Sequence, residues 1–383
     1  MLPAVLGRWL WRPRPATGTH DTDAGRTARV FMSRKAMKKK IKAVGLISGG
    51  LDSMLSAKML KDQGVEVVGL NFSTGFCKVD HRRAVRRKKD QDPKKLRNEA
   101  LQSGAEAGVP IEIIDVSKEY LEIVTNPKHG YGRFANPCID CRIFMLNKAK
   151  EYADKIGAEV IFTGEVLGQR PMSQHRGALR LIEKETQLEG RLLRPLSARH
   201  LPPTQAERQG DIDREKLGDI SGRSRKGQMD LVEQFGIGDF SQPGGGCCYL
   251  ADENYARRFR DLMAHRVKES ITQDDIVILK VGRHFRLSPS VKLVVGREQA
   301  ENVFLERFLA GRWSLEVPEG GSPISLMEGD PTPEELRTAA RITARYSDSK
   351  DVPSVRVRAA RDAEIVWHEV PPALEEELAR TRL

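Results

Sequence analysis

VGLISGGLDSMLSAKML, residues Val44–Leu60, joins an apolar run to a helical pattern through Ser-Gly-Gly-Leu-Asp-Ser. The run VGLI has the texture of a buried strand, and Met54, Leu55, Ala57, Met59 and Leu60 recur as on a helix. An ordinary strand–turn–helix connection accounts for one glycine, but not for two with flanking hydroxyls and a carboxylate. Glycines after a strand let the backbone turn sharply and approach a ligand with no Cβ in the way. The N–H groups there, with the N-terminus of the next helix, form a cradle for an anion. Ser48 and Ser53 add hydroxyl donors for phosphate, and Asp52 offers a carboxylate for a magnesium ion, Mg2+, beside it. The spacing is not that of a Walker loop, since G-x-x-x-x-G-K-[ST] is absent.

Outward from this turn, residues 41–48 read as a strand, 53–63 as a helix and 65–72 as a second strand, with Gly64 as the helix stop. A strand–helix–strand unit of this kind builds parallel sheets. The spacing predicts a helix ending near Ala107, a strand over 110–117, a helix over 139–156 and a strand over 158–165. The fold expected is α/β: an open, mostly parallel sheet with helices on both faces. Residues 187–227 are polar and irregular, and ADENYARRFRDLMAHR reads as a helix capped near Asp252. From about residue 270 the texture changes to short strands and helices, which predicts a separate α+β domain. There a loop is expected over 320–333, a helix over TPEELRTAARITARYS, and strands at VPSVRVRA and EIVWHEV. The boundaries that follow are 38–267 and 268–383. Residues 1–37 read as a disordered extension, or as sequence upstream of a true start at Met37.

A length of 383 residues leaves room for two or three domains with real cores. No apolar run reaches the length of a membrane span, and a cytoplasmic location is expected. The net charge of +11 points to a polyanionic partner, most simply nucleic acid. The densest basic stretch is residues 78–97, with Arg82, Arg83, Arg86 and Arg87 as candidate RNA contacts. Charge runs of this kind are also common on plain solvated faces. The five cysteines, Cys77, Cys138, Cys141, Cys247 and Cys248, are an odd number, which suits metal-binding or redox thiols better than a secreted disulfide framework. NPCIDC places Cys138 and Cys141 at a helix start, where a thiolate is favoured. A C-x-x-C pair alone fits zinc, an iron–sulfur cluster or a redox couple. Of the neighbours Cys247 and Cys248, one is expected to matter, while the other and Cys77 read as inert.

The turn SGGLDS resembles the PP-loop signature Ser-Gly-Gly-x-Asp-Ser of ATP pyrophosphatases and matches it at every fixed position. That family cleaves ATP between the α and β phosphates and transfers AMP to an oxygen of its substrate. NPCIDCR followed by GAEVIFTGE resembles tRNA 2-thiouridine synthases. TGEVLGQRPMSQ with RLLRPLS resembles tRNA 4-thiouridine synthetases. The likeness to PP-loop tRNA thiolases covers roughly residues 42–260.

The resemblance implies that Ser48, Gly49, Gly50, Asp52 and Ser53 bind ATP. It also implies that Gly164, Gln169, Ser173 and Gln174 line the nucleotide or uridine side, and that Arg170 contacts phosphate or RNA. Cys138, Cys141 and Cys247 become the candidates that either carry sulfur as a persulfide or hold a [4Fe–4S] cluster. The sulfur would come from a cysteine desulfurase, a sulfur carrier or inorganic sulfide. Glu165 departs from the 2-thiouridine synthases, which have a histidine there. In the C-terminal part, KVGRHFR and TPEELRTAARITARYSDSKDVPSVRVRA resemble the NFACT RNA-binding domain, which makes Arg283, His284 and Arg286 candidate phosphate contacts.

The function expected is ATP-dependent thiolation of tRNA. One alternative is a PP-loop ligase or amidotransferase acting on a small molecule, which needs no thiols. The other is an RNA-binding protein without catalysis.

Overall fold

The structure is a computed structural model, and it describes residues 40–78, 85, 98–238, 240 and 248–383. Residues 1–37, Arg82, Arg83, Arg86, Arg87 and Cys247 lie outside the described residues. Among the described residues no helix is long and apolar enough to cross a membrane.

The first part of the chain builds a parallel sheet from β1 (Lys42–Leu46), β2 (Glu66–Ser73), β3 (Ile111–Asp115), β4 (Val160–Thr163) and β5 (Leu192–Leu193). Its spatial order is β3-β2-β1-β4-β5, and every pairing is parallel. Alternate residues of β1 feed opposite cores. Val44 and Leu46 pack with Leu146, Ala149 and Ala153 of α4 (Cys138–Ile156), whereas Ala43 packs with Leu51, Leu55 and Leu60 of α1 (Leu51–Lys61). Both faces are therefore covered, which is why β1 reads as a continuous apolar run. The expected α/β architecture is present.

Between these elements stand α2 (Glu99–Ala107), α3 (Ser117–Thr125), α5 (Arg176–Thr186), the single turn α6 (Gln205–Arg208), α7 (Lys226–Phe235) and α8 (Glu253–His265). Asp252 caps α8 as expected, its side chain accepting from the Tyr255 N–H. Helices α3, α5 and α7 are additions to the elements expected from sequence, although α5 buries one face through Ala178, Leu179, Ile182 and Thr186.

A second sheet is antiparallel. It uses β6 (Arg283–Arg286), β7 (Lys292–Val295), β8 (Trp313–Glu316), β9 (Ser325–Glu328), β10 (Val355–Arg361) and β11 (Glu364–Val370), in the order β11-β10-β8-β9-β7-β6. The short helix α9 (Gln273–Ile278) precedes β6, α10 (Gln299–Glu306) lies between β7 and β8, and α11 (Pro333–Arg345) lies between β9 and β10. Leu336, Ala339, Ala340 and Ile342 of α11 pack against the sheet. The loop expected over 320–333 contains β9, an internal strand paired to β7 on one side and β8 on the other. Four residues carry too short a pattern to be read before their partners are known.

The boundary expected at 268 falls within a shared region. Ile271, Ile276 and Leu279 pack into the parallel-sheet core, while Ile278 and Val281 pack with Val294, Phe304 and Leu305 of the second domain. Val85 joins the latter cluster. The junction is also polar. Arg286 Nε and Nη2 donate to Asp261 at 3.1 and 2.6 Å, and Arg258 donates to the carbonyls of Leu279 and Gly282 at 2.9 and 3.2 Å.

Candidate adenylation and sulfur-transfer site

Strand order reverses between β1 and β4, whose sequence neighbours lie on opposite sides. In open parallel sheets the crevice at such a point, beyond the carboxyl ends of the strands, is where ligands bind. The Ser48–Ser53 turn and Gly164 meet there. Gly49 adopts φ +85°, and a Cβ on it would lie 2.7 Å from the Glu99 carbonyl carbon at the start of α2. Ser103 fixes the turn by donating to the Gly49 carbonyl at 2.9 Å. Gly50 is the N-cap of α1 and no side chain caps the helix, so its first-turn amides are left for a ligand. Ser53 is buried and donates to the Gly50 carbonyl at 2.8 Å, while Ser48 is exposed. Gly164 closes the crevice: a Cβ there would lie 2.7 Å from Ser53 Cα.

Asp52 is held by two amides. Gln169 Nε2 donates to its Oδ2 at 3.2 Å and Gln228 Nε2 to its Oδ1 at 3.3 Å. Gln228 is fully buried on α7, 176 positions along the chain, and no local pattern marks it. Gln169 therefore stands at the turn. Ser173 and Gln174 are buried, and the Gln174 carbonyl accepts from the Gly168 N–H at 2.7 Å, so both shape this loop. Arg170 is exposed on the same loop.

Cys138 and Cys141 occupy the first turn of α4, both half-buried. Asn136 Nδ2 donates to Cys138 Sγ at 3.1 Å. Asp140, between the cysteines, is buried and accepts from the His129 backbone N–H at 3.0 Å; its Oδ1 lies 2.9 Å from His129 Nδ1. The loop before the helix is thus tied to the C-x-x-C turn. Among the described residues no group of three or more His, Cys, Asp or Glu is placed to hold a metal ion. Cys138 and Cys141 by themselves supply too few ligands for a [4Fe–4S] cluster.

Glu165, the residue that departs from the 2-thiouridine synthases, is fully buried between two guanidiniums. Arg142 Nε lies 2.9 Å from its Oε1 and Arg194 Nε 3.2 Å from its Oε2, and Arg194 also pairs with Glu183. Burial pushes the Glu165 carboxyl up, but Arg142, Arg194 and the hydrogen bond from Thr163 outweigh it and hold it below the usual range. Cys77 and Cys248, read as inert or unassigned, face each other in an antiparallel bridge, with the Tyr249 N–H donating to the Phe76 carbonyl at 3.0 Å.

One phosphate contact expected in the second domain is corrected. His284 is fully buried and faces the Val281 carbonyl 2.8 Å away, so it cannot reach a backbone phosphate. Arg286 is engaged with Asp261. Arg283 is half-exposed and lines an open cavity.

Residues 39–200 match the family described as thiamine biosynthesis protein (ThiI), and residues 282–381 match the NFACT protein RNA binding domain. The tRNA-specific 2-thiouridylase MnmA of Listeria monocytogenes is 22% identical over 344 residues, which is 85% of this chain and 87% of that protein. Its namesake from Syntrophotalea carbinolica is 30% identical over 135 residues, 33% of this chain and 36% of that protein. A 4-thiouridine synthetase solved with RNA and ATP is 22% identical, covers 51% of each chain and gives a TM-score of 0.29. The chain is thus similar to ThiI-family proteins over its parallel-sheet part and to the NFACT RNA binding domain over its second sheet, and over most of its length it is distantly similar to proteins named tRNA-specific 2-thiouridylase.

Proposed function

We propose that this protein is an ATP-dependent tRNA sulfurtransferase that adenylates a uridine carbonyl oxygen and replaces that oxygen with sulfur. One observation carries the reading: the phosphate turn and the cysteine helix are joined by a single short bridge. Gly164 sits against Ser53, the next residue Glu165 pairs with Arg142, and Arg142 follows Cys141. The names of the relatives, and the RNA-binding description of the C-terminal match, support tRNA as the substrate.

The chemistry needs both sites. A uridine carbonyl oxygen is a poor leaving group. Its attack on the α-phosphate of ATP breaks the α–β bond, releases pyrophosphate and leaves the oxygen as part of AMP. A sulfur nucleophile adds to the carbon, and the C–O bond breaks as AMP departs. The turn at Ser48–Ser53 would hold the phosphates through backbone amides and the Ser48 hydroxyl. Asp52 is a hard oxygen donor suited to Mg2+, which would neutralise phosphate charge there. Cys138 or Cys141 would present the sulfur, as would Cys247 if it approaches the pair. A desulfurase or carrier persulfide would pass its outer sulfur to one of these thiols. Once that persulfide has added to the carbon and AMP has left, a second thiol would break the S–S bond, leaving sulfur on the uridine and a disulfide that an external thiol reduces. Free sulfide would instead add to the carbon directly.

The test is incubation of the full chain with labelled ATP, magnesium and tRNA transcripts. RNA-dependent pyrophosphate release is expected, and with a sulfur source a thionucleoside is expected in digests by mass. Absence of pyrophosphate release with every transcript overturns the reading.

A further inference from the structure

The second domain contains a cavity of about 450 Å³ lined by Arg283, Arg297, Arg345, Lys350 and Arg382, with Tyr346 and a single carboxylate, Glu375. Five cations on one concavity repel one another, and one glutamate does not balance them. Two of them are held in place. The Arg283 guanidinium lies over the Tyr346 ring, 4.4 Å from its centroid, and Arg283 Nη1 donates to the Gly296 carbonyl at 3.4 Å. Arg382 Nη2 donates to the Tyr346 hydroxyl at 2.6 Å, and its Nη1 reaches Glu375 at 3.2 Å. One tyrosine therefore orients two guanidinium forks on one wall, before any ligand arrives. Planar forks fixed in this way suit the paired oxygens of a phosphate.

We infer that this cavity grips a backbone phosphate of the RNA substrate and docks the tRNA without reading its sequence. The inference deepens the tRNA-thiolation reading and rests on it for the identity of the polyanion. Sequence independence follows from the lining. The one aromatic side chain there has Arg283 across its ring and Arg382 on its hydroxyl, so it is not offered to a base. Phosphate contacts of this kind set position and register rather than base preference. Tyr346 is a positioning residue here, acting through the two arginines.

The experiment measures binding of fluorescent tRNA by the full chain over a salt series. It compares the wild type with Lys350→Glu, which is exposed and leaves the packing untouched, with the double variant Arg283→Ala/Arg382→Ala, and with Tyr346→Phe. Lys350→Glu and the double variant are expected to weaken binding roughly tenfold or more. The slope of log affinity against log salt is expected to shrink by about one for each cation withdrawn from a phosphate. Tyr346→Phe is expected to show a smaller loss with an unchanged slope. Transcripts of equal length and unrelated sequence are expected to lose affinity equally. Wild-type affinity and slope in both Lys350→Glu and the double variant overturn the inference while leaving the catalytic reading intact. So does protection of the cavity by inorganic phosphate but not by tRNA. If the variants lose RNA binding while the wild type releases no pyrophosphate, the catalytic reading falls and the docking site stands.

Discussion

Arg142 Nε and Glu165 Oε1 lie 2.9 Å apart, and the pair links the helix that carries Cys138 and Cys141 to the strand end that closes over the Ser48–Ser53 turn. Glu165 is almost completely shielded from water, and its second partner Arg194 is buried as well. A charge in that setting is tolerated only while paired. Glu165→Gln is expected to destabilise the protein by about 3–5 kcal/mol, because Arg194 keeps its burial and loses an anion. Thermal unfolding checks this. The sign with pH follows from the lowered carboxyl. The stabilisation is complete above the ordinary glutamate value of about 4.3 and is lost as the pH falls below it, through the depressed native value. A wild-type melting profile no steeper in acid than that of Glu165→Gln would contradict this.

Gly164→Ala tests the close approach over α1. The added methyl carbon would lie 2.4 Å from the Ser53 backbone nitrogen, so the turn must move to admit it. Pyrophosphate release is expected to fall about 100-fold with far-UV circular dichroism unchanged. Normal release by a folded variant would show that Gly164 does not bound the ATP site.

The amide clamp on Asp52 gives a second probe of the same crevice. Gln228→Ala and Gln169→Ala each remove one donor to the carboxylate. Each is expected to slow pyrophosphate release about 10- to 100-fold while tRNA affinity stays at the wild-type level. Parallel losses of RNA binding and of rate would place these glutamines in a general packing role instead.

His284 predicts a pH dependence of stability. Burial first, then the nearby Arg258 and Lys292, hold the imidazole well below its usual value. The folded protein keeps it neutral, whereas the unfolded chain protonates it near pH 6.5. Stability is therefore undiminished above about pH 6.5 and is lost as the pH falls below that toward the native value. Denaturant midpoints at pH 7.5 and 5.5 are expected to differ less for His284→Gln than for the wild type. Equal differences would remove His284 as the cause.

Cys77 and Cys248 oppose each other as a non-hydrogen-bonded antiparallel pair, since the ladder bond runs between their neighbours Tyr249 and Phe76. Such pairs bring Cα atoms to about 4.5 Å, within the range a disulfide spans. Diamide is expected to couple these two thiols, seen by peptide mapping and abolished in Cys77→Ser and Cys248→Ser but not in Cys247→Ser. Coupling that persists in Cys248→Ser would assign the crosslink to another cysteine.

The Ser48–Ser53 turn was legible because its pattern is local. Two glycines, two hydroxyls and a carboxylate stand within six consecutive residues, Ser48–Ser53, and a buried parallel strand announces itself as an unbroken apolar run. The C-x-x-C helix was legible for the same reason. The partners of these features were not. Gln228 reaches Asp52, Arg142 and Arg194 reach Glu165, and β9 finds its two neighbours only once the chain is folded. The burial of His284 and the engagement of Arg286 were equally hidden. A basic residue on a short strand reads alike whether it faces solvent or a neighbouring domain.

By itself the sequence determined the glycine-rich turn, the cysteine pair, the parallel architecture and the basic balance of the chain, since each depends on residue type and short-range spacing. Only the tertiary structure decided which carboxylate sits between arginines, which glutamines hold Asp52 and which cations gather around Tyr346. Those relationships join residues far apart in the chain, and their energies come from desolvation and close charge pairing that exist only after the chain has packed.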